Sequence, residues 1–141
     1  MPSRSLIVGL FALAFHCSVL PSVLSDMYGE WYGETTSAYY KIRYKIPAHY
    51  EVQNASFLVR RNGVLAGKVA NGCLINGVIM RSTSSQYPIR GFISACPVKE
   101  LNGAFEGMFN SSGQLRMVVK DKMLGRADFY GVLKRGMRIV D

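Results

Sequence analysis

Apolar residues in this chain flank glycine in a recurring five-residue pattern: an apolar residue, any residue, glycine, any residue and a second apolar residue. The pattern occurs at residues 65–69, 75–79, 89–93, 105–109 and 129–133, and residues 31–35 are a near match. Because strand side chains alternate between the two faces of a sheet, each glycine shares a face with its flanking apolar residues. Glycine in the middle of a buried strand face lets a sheet coil tightly or leaves space inside it. The pattern therefore predicts a small antiparallel barrel.

Alternating apolar and polar residues, interrupted by turn residues, predict about eight or nine strands. After a first strand around Trp31, the predicted strands cover residues 40–46, 56–61, 64–69, 73–80, 89–95, 104–109, 114–120 and 127–133. Asn-Gly pairs at 62–63 and 102–103 indicate tight hairpins, since both residues accept positive φ. The pattern favours an all-β fold, a small antiparallel up-and-down meander closed into a barrel, because closure removes exposed strand edges. A two-sheet β-sandwich is the alternative.

The predicted strand at residues 40–46 carries a basic face. Lys41, Arg43 and Lys45 alternate with aromatic and aliphatic residues. The alternation predicts that these three side chains point outward and that the other four point inward. A basic face on an exported protein is a candidate docking surface for an acidic protein or another anionic surface, although surface charge also serves solubility. The inward set is Tyr40, Ile42, Tyr44 and Ile46.

The first 25 residues have the features of an export signal. Arg4 precedes a ten-residue apolar run at 6–15, Pro21 interrupts the pattern, and small or permissive residues lead to Asp26. The run is about half of the ~20 residues that a membrane-spanning helix needs. We expect residues 1–25 to be cleaved and residues 26–141 to form a single β-barrel domain, secreted or periplasmic, with no membrane span. Cleavage leaves 16 basic against nine acidic residues, a net charge of +7.

Two cysteines, Cys73 and Cys96, remain after the predicted cleavage, and an even pair in a chain that is exported to an oxidising compartment favours a disulfide between them. A close Cys-x-x-Cys spacing, typical of redox or metal pairs, is lacking. Asn54 and Asn110 each begin an Asn-x-Ser acceptor pattern near a predicted turn. We expect glycans there only in a source that glycosylates exported proteins.

The sequence offers little for catalysis or for metal binding. Outside the predicted signal, His49 is the single histidine, so neither a Ser-His-Asp arrangement nor a histidine-based zinc site has its usual residues. Alternation places the carboxylates of the barrel strands on the outer face rather than across a cleft. The strand glycines do not precede helices, and no nucleic-acid-binding motif is present. We expect a non-enzymatic protein without metal or cofactor. The outer carboxylates are Glu30, Glu34, Glu106 and Asp128.

Residues 29–32, Gly-Glu-Trp-Tyr, resemble the Gly-x-Trp signature on the first strand of calycin barrels, the lipocalin, avidin and fatty-acid-binding group. The Gly-x-Trp-Tyr form is most similar to avidin-type chains. The resemblance implies that Trp31 lies at the closed base of a barrel, under a basic side chain from the end of the last strand, either Lys134 or Arg135. It does not extend to the biotin-contacting residues of avidins or to the long helix that follows the lipocalin barrel.

Two main hypotheses of function follow from these observations, and a small hydrolase, which would need converging carboxylates, is a third alternative. In the first, the chain is an exported binding protein that holds a small apolar or amphipathic ligand inside a calycin-like barrel. In the second, it is a basic secreted interaction protein, such as an inhibitor or host-directed effector, that docks on an acidic partner. A cavity inside the barrel favours the first hypothesis, and a filled interior with a basic surface favours the second. The candidate ligand-lining residues, which otherwise form an ordinary core, are Trp31, Leu65, Ile89, Phe105, Phe109 and Phe129.

Overall fold

The computed structural model describes residues 24–41, 46–121 and 125–136 of the chain. Within these residues nine strands are present. A short 3-10 helix, Leu24–Met27, precedes the first strand, and another, Lys99–Leu101, lies between the fifth and sixth. The strands are β1 (Gly29–Lys41), β2 (His49–Val59), β3 (Val64–Val69), β4 (Leu74–Ile79), β5 (Gln86–Ser94), β6 (Gly103–Asn110), β7 (Gln114–Asp121), β8 (Gly125–Val132) and β9 (Lys134–Arg135).

The strands form a closed, antiparallel, up-and-down barrel. Each strand from β2 to β7 pairs with the next along the chain, and β1 pairs with β8 on one side and with β2 on the other. The two residues of β9 add a short pairing to the beginning of β1. The predicted all-β barrel is therefore confirmed, and the sandwich alternative is not what the chain forms.

The five strand glycines face the barrel interior, as the sequence pattern predicts. A β-carbon added to Gly67 would lie 2.5 Å from the Phe57 ring, and one added to Gly77 would lie 3.1 Å from Cζ of Phe105. At the other three positions the added atom would meet the backbone of an adjoining strand. Rings and neighbouring strands therefore occupy the space beside the glycines, and this lets a barrel with many aromatic core residues coil tightly. The other three are Gly91, Gly107 and Gly131.

The 3-10 helix Leu24–Met27 closes the end of the barrel where β1 begins, which we call the closed end. Leu24 and Met27 are both buried in the core. The indole Nε1 of Trp31 donates a hydrogen bond to the carbonyl oxygen of Met27 at 3.0 Å. The predicted cleavage point between Ser25 and Asp26 lies inside this helix, so cleavage there would remove the buried Leu24 side chain from the core. Cleavage stays a prediction.

A basic side chain covers Trp31 at the closed end, as the calycin resemblance implies. The guanidinium carbon of Arg135 lies 4.6 Å from the centre of the Trp31 ring, and its Nη1 donates to the carbonyl oxygen of Tyr28 at 2.6 Å. Phe109 meets the indole edge-on, with ring centres 5.0 Å apart. Of the two candidates, Arg135 takes this position and Lys134 is exposed.

The predicted strand at residues 40–46 is wrong at its described residues, because Tyr40 and Lys41 belong to β1 and Ile46 belongs to no strand, while residues 42–45 lie outside the described residues. β1 runs unbroken to Lys41, and β2 begins at His49, ahead of the predicted start at residue 56. Within β1, Tyr39 faces the core, so Tyr40 lies outside with the Arg126 guanidinium 5.3 Å from its ring centre. Ile46, predicted to point inward, is 81% exposed. Because Tyr39 and Tyr40 are adjacent, the sequence leaves open which of them points inward. A shift of one residue moves every side chain of the strand to the opposite face of the sheet.

The same correction affects the predicted basic face. Lys41 ends β1 and is exposed, as expected, although it belongs to a different strand from the one predicted. Arg43 and Lys45 lie outside the described residues.

The predicted disulfide is confirmed. Cys73 and Cys96 are bonded across 23 positions and join the beginning of β4 to the segment after β5. The side chain of Asn102 accepts a hydrogen bond from the backbone nitrogen of Cys96 at 2.9 Å and donates to its carbonyl oxygen at 3.3 Å. The disulfide and this amide together hold the β5–β6 connection against the barrel.

Candidate interaction surfaces

The residues predicted to line a ligand cavity form part of one packed core. Each of the six is at most 2% exposed, and all belong to a single cluster that also includes Phe57, Tyr87 and Met117. Both cavities described below lie on the outer surface of the barrel. A ligand inside the described barrel would have to displace aromatic side chains, so the carrier hypothesis stays a prediction that this packing does not favour. The six are Trp31, Leu65, Ile89, Phe105, Phe109 and Phe129.

A polar cluster lies at the end of the barrel opposite the closed end, and it includes His49. The Glu51 carboxylate accepts hydrogen bonds from Nε2 of His49 at 3.1 Å, from Nε2 of Gln53 and from Nδ2 of Asn71 at 3.4 Å. These contacts tie the beginning of β2 to the β3–β4 turn. Among the described residues no group of three histidine, cysteine or acidic side chains could hold a metal ion. The cluster is thus a set of mutually satisfied polar groups that stabilises this end.

The larger cavity is a groove of about 940 Å³ on the outer face of β4, β5, β6 and β7. Phe92 is its most exposed apolar side chain, at 66%. Arg90 and Glu106 lie in the middle of the groove, and both are exposed. We call this surface the β4–β7 face. Its apolar members are Val78, Phe92, Ala104, Met108 and Val118.

The strand register orders the side chains of the β4–β7 face in cross-strand pairs. Across β5 and β6, Phe92 lies opposite Ala104, Arg90 opposite Glu106, and Pro88 opposite Met108. The middle pair continues to Val78 on β4 and to Val118 on β7. One row across four strands therefore reads apolar, basic, acidic, apolar: Val78, Arg90, Glu106, Val118.

The glycine-centred pattern concerns the inward positions and did not predict this outer surface. The signal is nonetheless present in the chain. Val78, Phe92 and Met108 each follow a strand glycine directly, and alternation places a residue next to an inward glycine on the outside. Apolar residues at three such outward positions indicate an exposed apolar surface.

A smaller groove of about 400 Å³ lies on the outer face of β1, β2, β3 and β4. Tyr32, Leu58 and Leu74 supply its apolar side chains, and Lys68 is exposed at its side. Asn76 lines both grooves, so the two surfaces adjoin each other at β4.

Exposed cationic side chains gather at the closed end. Arg60 and Arg61 lie in the β2–β3 turn, Arg81 follows β4, and Lys134 begins β9; all four are exposed. In an up-and-down barrel every second connection returns to the same end, so residues far apart in the sequence become neighbours there. Asp26 also lies exposed at this end. We call Arg60, Arg61, Arg81 and Lys134 the basic end.

The β2–β3 turn holds its two arginines in a defined backbone conformation. Gly63 has φ 86°, a conformation that glycine adopts without a β-carbon penalty, and its nitrogen donates to the carbonyl oxygen of Arg60 at 2.9 Å. The carbonyl oxygen of Gly63 accepts from the nitrogen of Ile79 at 2.8 Å. The Tyr28 hydroxyl donates to the carbonyl oxygen of Arg61 at 3.0 Å. These bonds anchor the turn to Tyr28, the residue before β1, and to β4.

Of the four carboxylates predicted on the outer face, Asp128 is largely covered. It is 7% exposed and lies between Ala38 and Val118 in the register, with Oδ1 3.2 Å from Nε of Arg126. The other three carboxylates, Glu30, Glu34 and Glu106, are exposed.

Burial raises the pKa of the nearby Tyr130 phenol above its usual range, with smaller contributions from neighbouring tyrosines.

The two conditional glycosylation sites differ in the folded chain. Asn54 lies exposed on β2. Asn110 is 6% exposed, its Nδ2 donates to Oε1 of Gln114 at 2.7 Å, and its Oδ1 accepts backbone hydrogen bonds in the β6–β7 turn. The folded structure thus has room for a glycan at Asn54, whereas at Asn110 the amide is part of the turn.

Comparison of the chain with protein families, curated proteins and solved structures finds no match. None of the described segments forms a helix of sufficient length and apolarity to cross a membrane. The candidate surfaces therefore have to be interpreted from their own chemistry.

Proposed function

We propose that this chain is a secreted, non-enzymatic interaction protein that docks on an acidic partner protein through its basic end. The observation that carries the proposal is a group of exposed cations at one end of a barrel whose interior is packed with side chains. The proposal keeps the docking hypothesis drawn from the sequence but moves the docking surface from the predicted strand at residues 40–46 to the closed end. The formal net charge of the whole chain, +8, would favour encounter with an acidic surface at long range.

The chemistry of the basic end suits carboxylate groups. Three of its four members are arginines, whose planar guanidinium binds a carboxylate through two parallel hydrogen bonds. Arg60 and Arg61 extend from a turn that backbone hydrogen bonds already hold in place. Less conformational entropy is therefore lost when a partner binds, and a preorganised surface binds more tightly for the same contacts.

Secretion and kinship with calycin barrels belong to the same proposal. The Cys73–Cys96 disulfide is typical of an oxidising compartment and supports export. The Arg135 guanidinium over the Trp31 ring, at the closed end of an up-and-down barrel, supports a relationship to calycins. Fold kinship does not decide function, so the acidic partner is argued from the surface alone.

A pair of charge-reversed variants tests the proposal. Arg60→Glu with Arg61→Glu changes the basic end, and Lys41→Glu with Lys99→Glu makes the same change in net charge at the opposite end. Binding to immobilised poly-L-glutamate is measured for both as a function of salt concentration. We expect the first variant to lose at least about tenfold in affinity and most of its salt dependence, and the second to lose much less.

Equal losses in the two variants would show that net charge, rather than the basic end, governs binding. All four positions are exposed, so both variants should unfold at the same temperature as the wild type. Heparin serves as a second probe, and preferential binding of heparin over poly-L-glutamate at the basic end would replace the acidic protein with an anionic polysaccharide.

A further inference from the structure

We propose that the β4–β7 face is a self-association surface, which takes the same face of a second copy of this chain in a two-fold symmetric dimer. None of the residues of the basic end belongs to the β4–β7 face, so the dimer is independent of the proposed function. The cross-strand pairs of the face and the exposed charges at its centre support this dimer.

The register of β5 and β6 makes this face complementary to itself. A two-fold axis parallel to the strands and midway between β5 and β6 places each β5 residue of one copy over the residue that opposes it on β6 of the other. Arg90 of one copy then meets Glu106 of the second copy, and the same pair forms again in the reverse sense. Two opposite-charge contacts result from a single register pair.

The same axis also pairs side chains of complementary size. The axis places Phe92, the most exposed side chain of the face, over Ala104 of the second copy, and Met108 over Pro88. A large side chain thus faces a smaller one at both positions, as interdigitated sheet faces require. On the neighbouring strands, Val78 lies over Val118 of the second copy, so apolar surface covers apolar surface at both sides of the charges.

The central charges are available for contacts with another molecule. Neither Arg90 nor Glu106 forms an ion pair within the described part of the chain, although they oppose each other on adjacent strands. Both are exposed, and apart from Asn76 the other side chains that line the groove are apolar. The face spans four strands, which is small for a stable interface, and we expect a dissociation constant on the order of 10 µM.

The direction of the axis would also affect how the dimer binds a partner. This effect on binding, unlike the dimer itself, rests on the proposed function. Because the axis is parallel to the strands, the closed ends of both barrels point in the same direction. The dimer would present two basic ends on one side and could engage an acidic surface bivalently. Bivalency of this kind raises apparent affinity without any new contact.

Sedimentation equilibrium on the disulfide-bonded protein tests the dimer. We expect the wild type to dimerise at micromolar concentrations and Phe92→Ala to raise the dissociation constant at least about tenfold. Lys68→Glu, on the outer surface but away from the face, is the matched control and should dimerise like the wild type. A wild type that stays monomeric to high micromolar concentration would overturn the proposal.

The charge pair provides a sharper test of the predicted register. Arg90→Glu alone or Glu106→Arg alone places like charges over each other at both contacts, so each variant should be monomeric. An equimolar mixture of the two variants restores both opposite-charge contacts and should form a heterodimer, which mass labelling of one variant identifies. Circular dichroism checks that each single variant is folded.

Two results would contradict this register. If the single variants dimerise as well as the wild type, the dimer uses another surface. If the folded variants fail to associate in the mixture, Arg90 does not meet Glu106 of the second copy. Neither result bears on the poly-L-glutamate experiment, whose variants lie outside the β4–β7 face.

Discussion

Gly107→Ala probes how closely the barrel wall is packed. Gly107 lies on β6 between the buried Phe105 and Phe109, and it pairs with Met117 on β7. A β-carbon at this position would overlap the carbonyl oxygen of Arg116 and would lie 2.9 Å from Cα of Met117. These are backbone atoms, so no side-chain rotation relieves the contact, and β6 must move away from β7.

The structure gives the expected magnitude. Separating the two strands at this point weakens about two ladder hydrogen bonds, worth about 1 kcal/mol each. Disturbed packing beside the glycine adds about 1 kcal/mol or more. We expect the free energy of unfolding to fall by about 3 kcal/mol. Without the contact the sign would reverse, because glycine-to-alanine changes usually stabilise by about 0.4–1 kcal/mol through the unfolded chain.

Urea denaturation of the disulfide-bonded protein measures this difference, with Gly136→Ala as the matched control. There the added β-carbon lies 3.2 Å from Cβ of Glu30 and 3.3 Å from Cδ1 of Tyr32, so a shift of a few tenths of an ångström relieves both contacts. We expect a change within about 0.5 kcal/mol for the control. If Gly107→Ala is as stable as the control, or more stable than the wild type, the reasoning about close strand approach is refuted.

Three further predictions concern the disulfide, the closed end and alkaline pH. Replacing Cys73 and Cys96 by serine should lower the free energy of unfolding by about 3 kcal/mol, because the unfolded chain regains the entropy of an open loop; denaturation of the wild type in reductant should give the same loss, and no loss would disprove it. Arg135→Ala removes the cation from Trp31 and should cost about 1 kcal/mol and change the fluorescence of this single tryptophan, whereas unaltered emission and stability would contradict the contact. Burial raises the pKa of the Tyr87 phenol above its usual 10.0, so the folded state holds the proton more tightly than the unfolded state. The contribution of Tyr87 to stability should be constant below about pH 10 and should be lost as pH rises through the folded pKa, and Tyr87→Phe should flatten this decline in pH-dependent denaturation.

The sequence alone was enough to predict the barrel and the disulfide. The five glycine-centred segments indicate inward glycines because the side chains of a regular strand alternate with a period of two. Cys73 and Cys96 are the cysteines left after the predicted signal, so their pairing follows from counting. The contact between Arg135 and Trp31 was implied by the calycin resemblance, although the choice between Arg135 and Lys134 required the structure.

The tertiary structure decided the phase and the length of β1. Tyr39 and Tyr40 are chemically alike, so alternation near them fits either phase. The phase of the alternation is set at the other end of the thirteen-residue strand, where Trp31 must be buried under Arg135, and it continues along the strand until Tyr39 lies inside. Sequence windows of a few residues do not contain that constraint.

The candidate surfaces also depend on strand neighbours that are distant in the chain. Alternation shows that Arg90 and Glu106 point outward, but only the β5–β6 register shows that they oppose each other. Likewise Arg61, Arg81 and Lys134 reach one end because the barrel closes and alternate connections return to it. The period of a strand is a local property of the backbone and can be read along the chain. Register and closure are set by the packing of the whole core, and the tertiary structure alone decides them.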